Sequence, residues 1–530
     1  MNQIVQPPKL DLIPDTAPFS LEQRAWLNGF LAGLVSLDGS PMPLSGEQNA
    51  AAMAGDGDDG AAPWHDQTIA IAERMKLAEG RPLRRRMMAA MAQQDCGQCG
   101  YNCNDYAEAL FARKEARLNL CSPGGKDTAR MLKTLAEELD HAPAAPAQPE
   151  PTTAPAIAAP PGRSRDNPAE AIFLSRRRLN KPGSEKDTWH VEFDLSRSGL
   201  DYVAGDSFGV FAHNDPGLVD QIIATLGASP MTEVRGRPLS DVLRTDVSLS
   251  PVPDTLFELI SFLTGGAARE KARALAQGED PDGDAANLDV LAALQKFTGV
   301  RPHPEAFVEA LEPLQPRLYS ISSSPNATPG RLSLTVDAVR YVIGKRKRLG
   351  VASTCLAERV NPGDALKVYV QRAHGFGLPA DPAVPVIMVG PGTGIAPFRS
   401  FLHERGAAKA PGRNWLFFGH QRSDCDFFYA DELKTMKESG LLTRLSLAWS
   451  RDSEQKFYVQ DRMREVGREL WAWLADGAHV YVCGDAKRMA KDVERALVDI
   501  VAQYGARSTD EAVAFIGELK RRQRYQQDVY

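Results

Sequence analysis

Four of the seven cysteines in this 530-residue chain lie close together. Cys96, Cys99, Cys103 and Cys121 are separated by gaps of two, three and seventeen residues. Three thiolates at the short spacings can wrap one corner of a [4Fe-4S] cluster, while the fourth closes it from beyond a helix, which we predict over residues 104–114. Structural zinc is the alternative, but zinc sites usually pair two Cys-X-X-Cys motifs and this sequence has one. The spacing therefore favours an iron–sulfur site.

A second set of side chains suited to chemistry lies in residues 317–325, Arg-Leu-Tyr-Ser-Ile-Ser-Ser-Ser-Pro. The planar guanidinium of Arg317 can hold a diphosphate. Tyr319, on the same face of a strand, can stack on an aromatic ring system. Ser320 points to the opposite face, where its hydroxyl could hydrogen-bond a ring nitrogen. The alternative is an ordinary edge strand with a Ser-rich turn, so the segment predicts a flavin site only together with others.

Residues 350–359 are predicted to begin a helix whose first amides and hydroxyls point at one spot. Unpaired N–H groups and the helix dipole both favour negative charge, so this is a good diphosphate site. A plain N-cap is the alternative. The order of the segments along the chain favours FAD.

A nucleotide-binding unit is predicted from the continuous apolar run at 384–390, which is typical of a buried parallel strand. It leads into the turn Pro-Gly-Thr-Gly at 391–394 and then into a helix, and such units bring a backbone close to a pyrophosphate. Further strands at 414–419, 444–449 and 478–483 alternate with predicted helices. This pattern predicts a doubly wound α/β domain.

The segment after the predicted strand at 444–449 indicates a preference for NADPH over NADH. A 2′-phosphate requires hydroxyls and fixed cations just past a strand end, and Ser450, Arg451 and Lys456 supply them. Tyr458 could stack on the adenine. A charged surface loop is the alternative interpretation.

Composition limits the remaining possibilities. The net charge of −6 argues against a general nucleic-acid binder, and no apolar run approaches the length that a membrane helix needs. We therefore expect no nucleic-acid partner, no membrane span and a cytoplasmic location. The basic run at 81–86 is either a solvated helix face or a docking patch for an acidic redox partner.

The length requires several domains. We predict a multidomain chain composed of an N-terminal helical segment (1–80), a small α-helical [4Fe-4S] domain (81–140), a Pro/Ala linker (141–165), an antiparallel β-barrel FAD domain with a helical insertion (166–382, insertion about 215–312) and a doubly wound NADPH domain (383–530). The linker could span about 70 Å in an extended polyproline geometry. A tethered electron carrier would need that freedom.

The order of these motifs from 165 to 530 resembles the diflavin reductases, such as sulfite reductase flavoproteins and cytochrome P450 reductase. The resemblance implies a ferredoxin–NADP reductase-like fold. Nothing in residues 1–165 resembles the phosphate-cradling loop of a flavodoxin, so the usual FMN domain is expected to be absent. The cysteine passage instead resembles the small [4Fe-4S] domain of electron-bifurcating and corrinoid-linked redox subunits, apart from a gap one residue shorter before the third cysteine.

The resemblance also implies roles for individual residues. The FAD would be bound by Arg317, Leu318, Tyr319, Ser320, Thr335, Val336, Asp337, Tyr341, Gly350, Val351, Ala352, Ser353 and Tyr530. NADPH would be bound by Gly392, Thr393, Gly394, Ser450, Arg451, Lys456, Phe457, Tyr458, Val459, Gln460 and Asp492. Ser320, Cys483 and Asp528 would align the hydride transfer, and the terminal Tyr530 would be a lid that nicotinamide displaces. By itself, Cys483 would be a small buried hydrophobic residue.

The function expected from the resemblance is an electron relay from NADPH through FAD and a [4Fe-4S] cluster to a partner metalloenzyme. The leading partner is a sirohaem sulfite reductase subunit. Alternatives are another acceptor (nitrite or nitrate reductase, a ferredoxin or a haem oxygenase), or a reductase in which a zinc-held module only docks a partner.

Overall fold

The computed structural model describes residues 62–65, 69–94, 99, 101–121, 123–141, 160–373 and 375–530. The predicted N-terminal helical segment up to residue 61, Cys96 and most of the predicted Pro/Ala linker lie outside the described residues.

The helices of the described parts are α1 Ile71–Leu77, α2 Leu83–Ala90, α3 Cys103–Phe111, α4 Gly125–His141, α5 Pro216–Leu226, α6 Leu239–Thr245, α7 Asp254–Leu263, α8 Gly266–Ala276, α9 Val290–Lys296, α10 Pro304–Glu309, α11 Val351–Thr354, α12 Ala396–Ala407, α13 Ala430–Glu438, α14 Val459–Glu465, α15 Gly467–Ala475, α16 Met489–Tyr504 and α17 Thr509–Arg521. The strands are β1 Ala169–Arg178, β2 Thr188–Asp194, β3 Ser207–Val210, β4 Glu233–Val234, β5 Arg237–Pro238, β6 Arg317–Ser320, β7 Arg331–Asp337, β8 Arg340–Ile343, β9 Arg346–Leu349, β10 Ala365–Gln371, β11 Val386–Val389, β12 Asn414–His420, β13 Arg444–Trp449, β14 His479–Gly484 and β15 Tyr525–Val529.

Helices α1 to α4 form the cysteine-bearing part. Their buried apolar side chains, Met87, Leu110 and Leu132 among them, pack into one cluster together with Cys99 and Cys121. Asn102 caps α3, because its side chain accepts a hydrogen bond from the Asp105 N–H at 2.7 Å. The helix predicted between the third and fourth cysteines is therefore α3, and it starts at Cys103 itself.

The flavin segments lie in a six-stranded sheet of order β6-β3-β10-β1-β2-β7 whose paired strands are all antiparallel. A bridge between Ile321 and Leu334 joins the chain just after β6 to β7, the strand at the opposite edge. The apolar side chains of alternate positions form the interior, with Phe173, Phe193 and Phe208 fully buried. Between β3 and β6, helices α5 to α10 enclose a core of their own, and the short pair β4–β5 interrupts the predicted helical insertion.

The C-terminal sheet has the order β13-β12-β11-β14-β15, and all its pairs are parallel. All four residues of β11 are buried, as the apolar run predicted. The sequence predicted a role for Tyr530 as a lid but did not predict the fifth strand, β15, which precedes it. Its pairing with β14 sets Asp528 opposite Cys483.

The two sheets are joined by polar contacts. Tyr429, near the start of α13, bonds Thr335 of β7 at 2.8 Å and His190 of β2 at 3.1 Å. Arg399 of α12 donates to the Ser322 carbonyl at 2.7 Å. None of the described helices is both long and apolar enough to cross a bilayer.

Candidate functional site

The largest group of predicted cofactor residues surrounds one cavity of about 430 Å³, which we call the β6 cavity. Strands β6 and β7 and the start of α11 form one side, and the last residues of β15 form the other. The residues lining it are Ser207, Arg317, Leu318, Tyr319, Ser320, Thr335, Asp337, Val339, Gly350, Val351, Ala352, Ser353, Thr393, Ala396, Asp528, Val529 and Tyr530.

Pairing of β6 with β3 places the key side chains. Ser320 lies opposite Ser207, and Tyr319 lies opposite Phe208 at the edge of the sheet. The ring of Tyr319 packs partly against the apolar interior. The Arg317 side chain is exposed, and its only hydrogen bonds among the described residues are long ones to the carbonyls of residues 315 and 316. Its guanidinium can therefore turn to an anion.

Ser320, Asp528 and Cys483 meet where the two sheets face each other. The Ser320 hydroxyl donates to Asp528 Oδ2 at 2.6 Å, and Cys483 Sγ lies 3.8 Å from the same oxygen. Burial raises the pKa of the Asp528 carboxyl, and the hydrogen bonds from Ser320 and Cys483 oppose that shift. Burial and the nearby carboxylate raise the pKa of the Cys483 thiol well above its usual range. Cys483 is thus a neutral thiol behind Asp528, outside the cavity lining.

The terminal residue closes one end of the β6 cavity. The Tyr530 hydroxyl and Thr393 Oγ1 are 2.8 Å apart, and the Tyr530 N–H donates to the Gly484 carbonyl at 3.0 Å. The residue is 47% exposed. This placement agrees with what a movable lid requires.

The segment at Gly350 differs in detail from the prediction. Helix α11 starts at Val351, but its hydroxyls do not point at one spot. Ser353 Oγ accepts the N–H of Val339 at 3.1 Å, and Thr354 Oγ1 donates to the Gly350 carbonyl at 2.8 Å. The hydroxyls instead fix the turn, because local backbone groups compete successfully for them. The first backbone amides remain next to the cavity.

Two residues predicted to bind FAD, Val336 and Tyr341, do not line the β6 cavity, and neither does Gly394 of the glycine turn. Val336 is fully buried in the interior of the antiparallel sheet. Tyr341 lines a smaller neighbouring cavity of about 110 Å³ that shares Val351 with the first. Gly394 is buried, and a Cβ there would lie 2.1 Å from the Cys483 carbonyl oxygen, so it permits the close approach of the turn to β14.

A second cavity of about 500 Å³, the glycine-turn cavity, lies across the same turn. Its lining residues are Lys186, Pro391, Gly392, Gly419, His420, Gln421, Ala448, Ser450, Phe457, Tyr458, Val459, Gln460, Asp485, Arg488, Met489 and Asp492. Gly392 faces this cavity and Thr393 faces the β6 cavity. The two cavities are therefore separated by a single turn of backbone.

The structure does not bring every predicted phosphate ligand to the glycine-turn cavity. Arg451 and Lys456 are exposed and do not line it, and Arg451 forms an ion pair with Glu185 instead. Two cations that sequence reasoning missed do line it, Lys186 and Arg488. Arg488 follows the β14 strand end by four residues, a signal that a search for cations beyond strand ends could have used.

Three of the four predicted metal ligands share one small cavity, which we call the cysteine cavity. Cys99, Cys103 and Cys121 line it together with Tyr101 and Tyr106, among others, and all three cysteines are buried. Burial raises the pKa of Cys99 to about 11 and also raises that of Cys121. Buried thiols next to one another fit a metal site, because they become charged thiolates only when a metal group binds and balances that charge.

The cysteine cavity is incomplete in the described parts of the chain, which leave out Cys96. Among the described residues, no group of three His, Cys, Asp or Glu side chains is arranged to hold a metal ion. A Cβ at Gly124 would lie 3.0 Å from Cys121 Sγ, so glycine leaves room beside that sulfur.

Two arginines of the basic run at 81–86 already form ion pairs within this part of the chain, Arg84 with Glu108 and Arg86 with Glu138. These pairs favour the solvated helix face over a docking patch.

Three family models match the chain. Residues 161–263 and 237–355 match an "FAD binding domain", and residues 388–495 match an "Oxidoreductase NAD-binding domain". Residues 92–123 match a "Putative Fe-S cluster". The match over the cysteines agrees with the iron–sulfur interpretation.

Curated relatives include "Sulfite reductase [NADPH] flavoprotein alpha-component" proteins. The protein from Photorhabdus laumondii is 43% identical over 371 residues, 69% of this chain and 61% of the relative. Those from Escherichia coli K12 and Klebsiella pneumoniae are 43% and 44% identical over 377 residues, with the same coverage. The chain thus matches about 61% of the length of these relatives. It is a homologue of the NADPH sulfite reductase flavoproteins that contains FAD-binding, NAD-binding and iron–sulfur domains.

Proposed function

We propose that this chain is an NADPH-dependent FAD oxidoreductase that passes electrons through a [4Fe-4S] cluster to a partner metalloenzyme. The observation that carries the proposal is the single turn between the two cavities. Gly392 on one side and Thr393 on the other would let a nicotinamide in the glycine-turn cavity reach a flavin in the β6 cavity. The Ser320–Asp528 hydrogen bond lies beside that passage.

The residues of the β6 cavity would bind and orient FAD. Arg317 and the first amides of α11 would hold the diphosphate, and Tyr319 would stack on the ring system. When bound, FAD accepts electrons in pairs and releases them singly. Tyr341 in the adjoining cavity would support its far end. Val336 would act through packing of the sheet.

Asp528 would stabilise positive charge that develops on nicotinamide during hydride transfer. A carboxylate set in place before the reaction requires no reorganisation, and it acts strongly where water is excluded. The Ser320 hydroxyl orients that carboxylate through the 2.6 Å bond. Cys483 would be a positioning residue behind it. Tyr530 would cover the flavin until nicotinamide displaces it.

In the glycine-turn cavity, Ser450, Phe457 to Gln460 and Asp492 would hold NADPH. Arg451 and Lys456 would turn to the 2′-phosphate on binding, since both side chains are exposed and long. Arg451 would exchange its pair with Glu185 for the phosphate.

Cys96, Cys99, Cys103 and Cys121 would ligate the cluster. The acceptor would be a sirohaem sulfite reductase subunit, since the relatives are named as the flavoprotein component of sulfite reductase. Another metalloenzyme acceptor is the second candidate. A cytoplasmic location also stays a proposal. The finer fold assignment is that the six-stranded sheet is an antiparallel barrel and the five-stranded sheet is doubly wound, with domain limits near 81–140, 166–382 and 383–530.

Anaerobic addition of NADPH to the purified protein tests the relay by visible absorption and low-temperature EPR. We expect bleaching of the flavin bands followed by the signal of a reduced iron–sulfur cluster. A Cys121→Ser variant is the matched control, in which flavin bleaching should persist without the cluster signal. Zinc without acid-labile sulfide in the purified protein would reject the relay and leave a zinc-held docking module. Co-purification with a partner that lacks sirohaem would reject the sulfite assignment alone.

A further inference from the structure

The cysteine-bearing helices are fixed to the helical insertion of the FAD-binding part. Arg130 of α4 donates through Nε and Nη2 to the two carboxylate oxygens of Asp254, at 2.9 and 3.0 Å. Lys126 Nζ lies 3.1 Å from the same carboxylate and 5.6 Å from the centre of the Phe257 ring. A bidentate arginine–carboxylate pair fixes the relative orientation of the two side chains as well as their distance. Helix α4 therefore sits in a defined position on α7.

A second contact lies close to the cysteines themselves. Arg117 donates to both carboxylate oxygens of Asp166, at 3.0 and 3.1 Å, and Asp166 leads into β1. The neighbouring Arg165 donates to the Cys99 carbonyl at 3.4 Å. The segment that enters the FAD-binding sheet thus touches a predicted cluster ligand.

Tyr369 lies on β10, and the next residue of that strand, Val370, donates its N–H to the Gly162 carbonyl at 2.9 Å, three residues before Arg165. Tyr369 is fully buried, and its hydroxyl has no hydrogen-bond partner among the described residues. Burial raises the pKa of Tyr369 to about 12, so the hydroxyl is neutral. A buried hydroxyl without a partner costs stability, so the position needs another explanation.

The ring of Tyr369 rests on the bare backbone of Gly209. A Cβ built on Gly209 would lie 2.0 Å from a ring carbon of Tyr369. Gly209 pairs with Tyr369 on one side and with Leu318 on the other, and Leu318 lines the β6 cavity. Two strand spacings separate Leu318 from Tyr369, so their Cα atoms are about 10 Å apart. These residues lead from the β6 cavity to β10, which is hydrogen-bonded to the segment that carries Arg165, the residue in contact with Cys99.

We propose that Tyr369 couples the flavin to the cluster, and that the cysteine-bearing part works from this docked position instead of as a swinging carrier. This inference rests on the proposed function. Each transfer moves one electron from reduced FAD, which is oxidised, to the cluster, which is reduced, and a flavin proton leaves to solvent. Tyr369 undergoes no net change. Its role is to fill the path with polarisable atoms, since electron tunnelling weakens steeply across gaps.

The docked position is tested by zero-length cross-linking of the purified holoprotein with a water-soluble carbodiimide. We expect mass spectrometry to find an amide link between Lys126 and Asp254. Lys126→Arg keeps the charge and should remove the link, while Lys133→Arg, an exposed site on the same helix, should not. Links from Lys126 spread over other carboxylates, without the Asp254 product, would overturn the docked position.

The coupling role is tested by anaerobic stopped-flow measurement of flavin reduction and cluster reduction after mixing with NADPH. Tyr369→Leu should slow cluster reduction by about tenfold or more and leave flavin reduction, FAD content and the Lys126–Asp254 link unchanged. Tyr369→Phe keeps the ring and should stay close to the parent rate. Phe193→Leu, equally buried on the inner face of the same sheet, should not slow cluster reduction.

An unchanged rate in Tyr369→Leu, with the parent protein reducing its cluster normally, would overturn the coupling role. A parent protein that reduces its flavin but never its cluster would overturn the proposed function and the coupling role together. In that case the cross-linking result would still decide whether the cysteine-bearing part is docked on the helical insertion.

Discussion

The β6 cavity and the glycine-turn cavity share one turn of backbone but hold their polar groups differently. In the β6 cavity, Ser320 and Asp528 are bonded to each other across the two sheets, and Tyr530 is bonded to Thr393. Next to the glycine-turn cavity, Arg451 and Lys456 are exposed on a loop and do not line the cavity. Strand register holds a side chain in place even when no ligand is bound. A cation on a loop can instead pair with the nearest anion.

This difference has a chemical meaning under the proposed function. A group that acts on the transition state must be in place beforehand, because reorganisation costs rate. A group that selects NADPH over NADH needs only to reach the phosphate in the bound state. The rigid cavity should therefore control the rate of hydride transfer, and the loop should control affinity.

The largest effect is expected from removing the charge of Asp528. Asp528→Asn keeps the shape and should lower the rate of flavin reduction by NADPH about a hundredfold, since the developing positive charge loses its counter-charge. Stopped-flow absorbance measures this rate, and FAD content should be unchanged. Cys483→Ala should have a smaller effect, because the thiol only touches the carboxylate at 3.8 Å. A loss confined to the KM for NADPH would contradict the assignment.

Acid should weaken the junction between the two sheets. Burial, with help from Arg399, lowers the pKa of His190 to about 4 from its usual 6.5. Between these two pH values, His190 binds more protons in the unfolded chain than in the folded one. Its contribution to stability is therefore complete above about pH 6.5 and decreases as the pH falls toward 4. The loss from this one group is about 2 kcal/mol near pH 5.

Denaturant unfolding at several pH values measures this loss. His190→Gln should reduce the acid dependence. His213, His420 and His479, whose pKa values are also lowered by burial, keep the remainder. His303→Gln, at an exposed position, is the control. Equal acid dependence in the parent protein and in His190→Gln would exclude His190 as the cause.

The loop cations should affect affinity and coenzyme choice. Arg451→Ala combined with Lys456→Ala should raise the KM for NADPH about tenfold or more and leave that for NADH nearly unchanged, since only NADPH carries the 2′-phosphate. Steady-state kinetics with both coenzymes measure the difference. Arg488→Ala is the informative companion, because Arg488 already lines the cavity. Similar losses with NADH and NADPH in the double variant would reject the phosphate role.

The smallest effect is expected at the lid. Tyr530→Phe keeps the ring but loses the 2.8 Å bond to Thr393, so the KM for NADPH should change by about twofold. Thr393→Val removes the same bond from the other side, and the double variant should show no further change. Additive effects would mean that the two hydroxyls act separately.

Several features of the fold were predictable because they depend on local patterns. The apolar run at 384–390 predicted β11, since a strand buried on both faces leaves a continuous apolar run in the sequence. Strand β15 was not predictable in the same way. Its residues, Tyr-Gln-Gln-Asp-Val, show neither a continuous apolar run nor a clear alternation, and pairing with β14 decides their conformation.

The sequence by itself determined which residue types are present for chemistry: the cysteine spacing, the Arg-Leu-Tyr-Ser strand, the glycine turn and the cations after β13. These are local, because spacing along the chain sets which atoms can share a turn or a strand face. Only the tertiary structure decided that Asp528 is hydrogen-bonded directly to Ser320, that Arg451 turns to Glu185, and that the ring of Tyr369 packs on Gly209. The partners in the first two contacts are 208 and 266 residues apart, so strand register and domain packing alone bring them together.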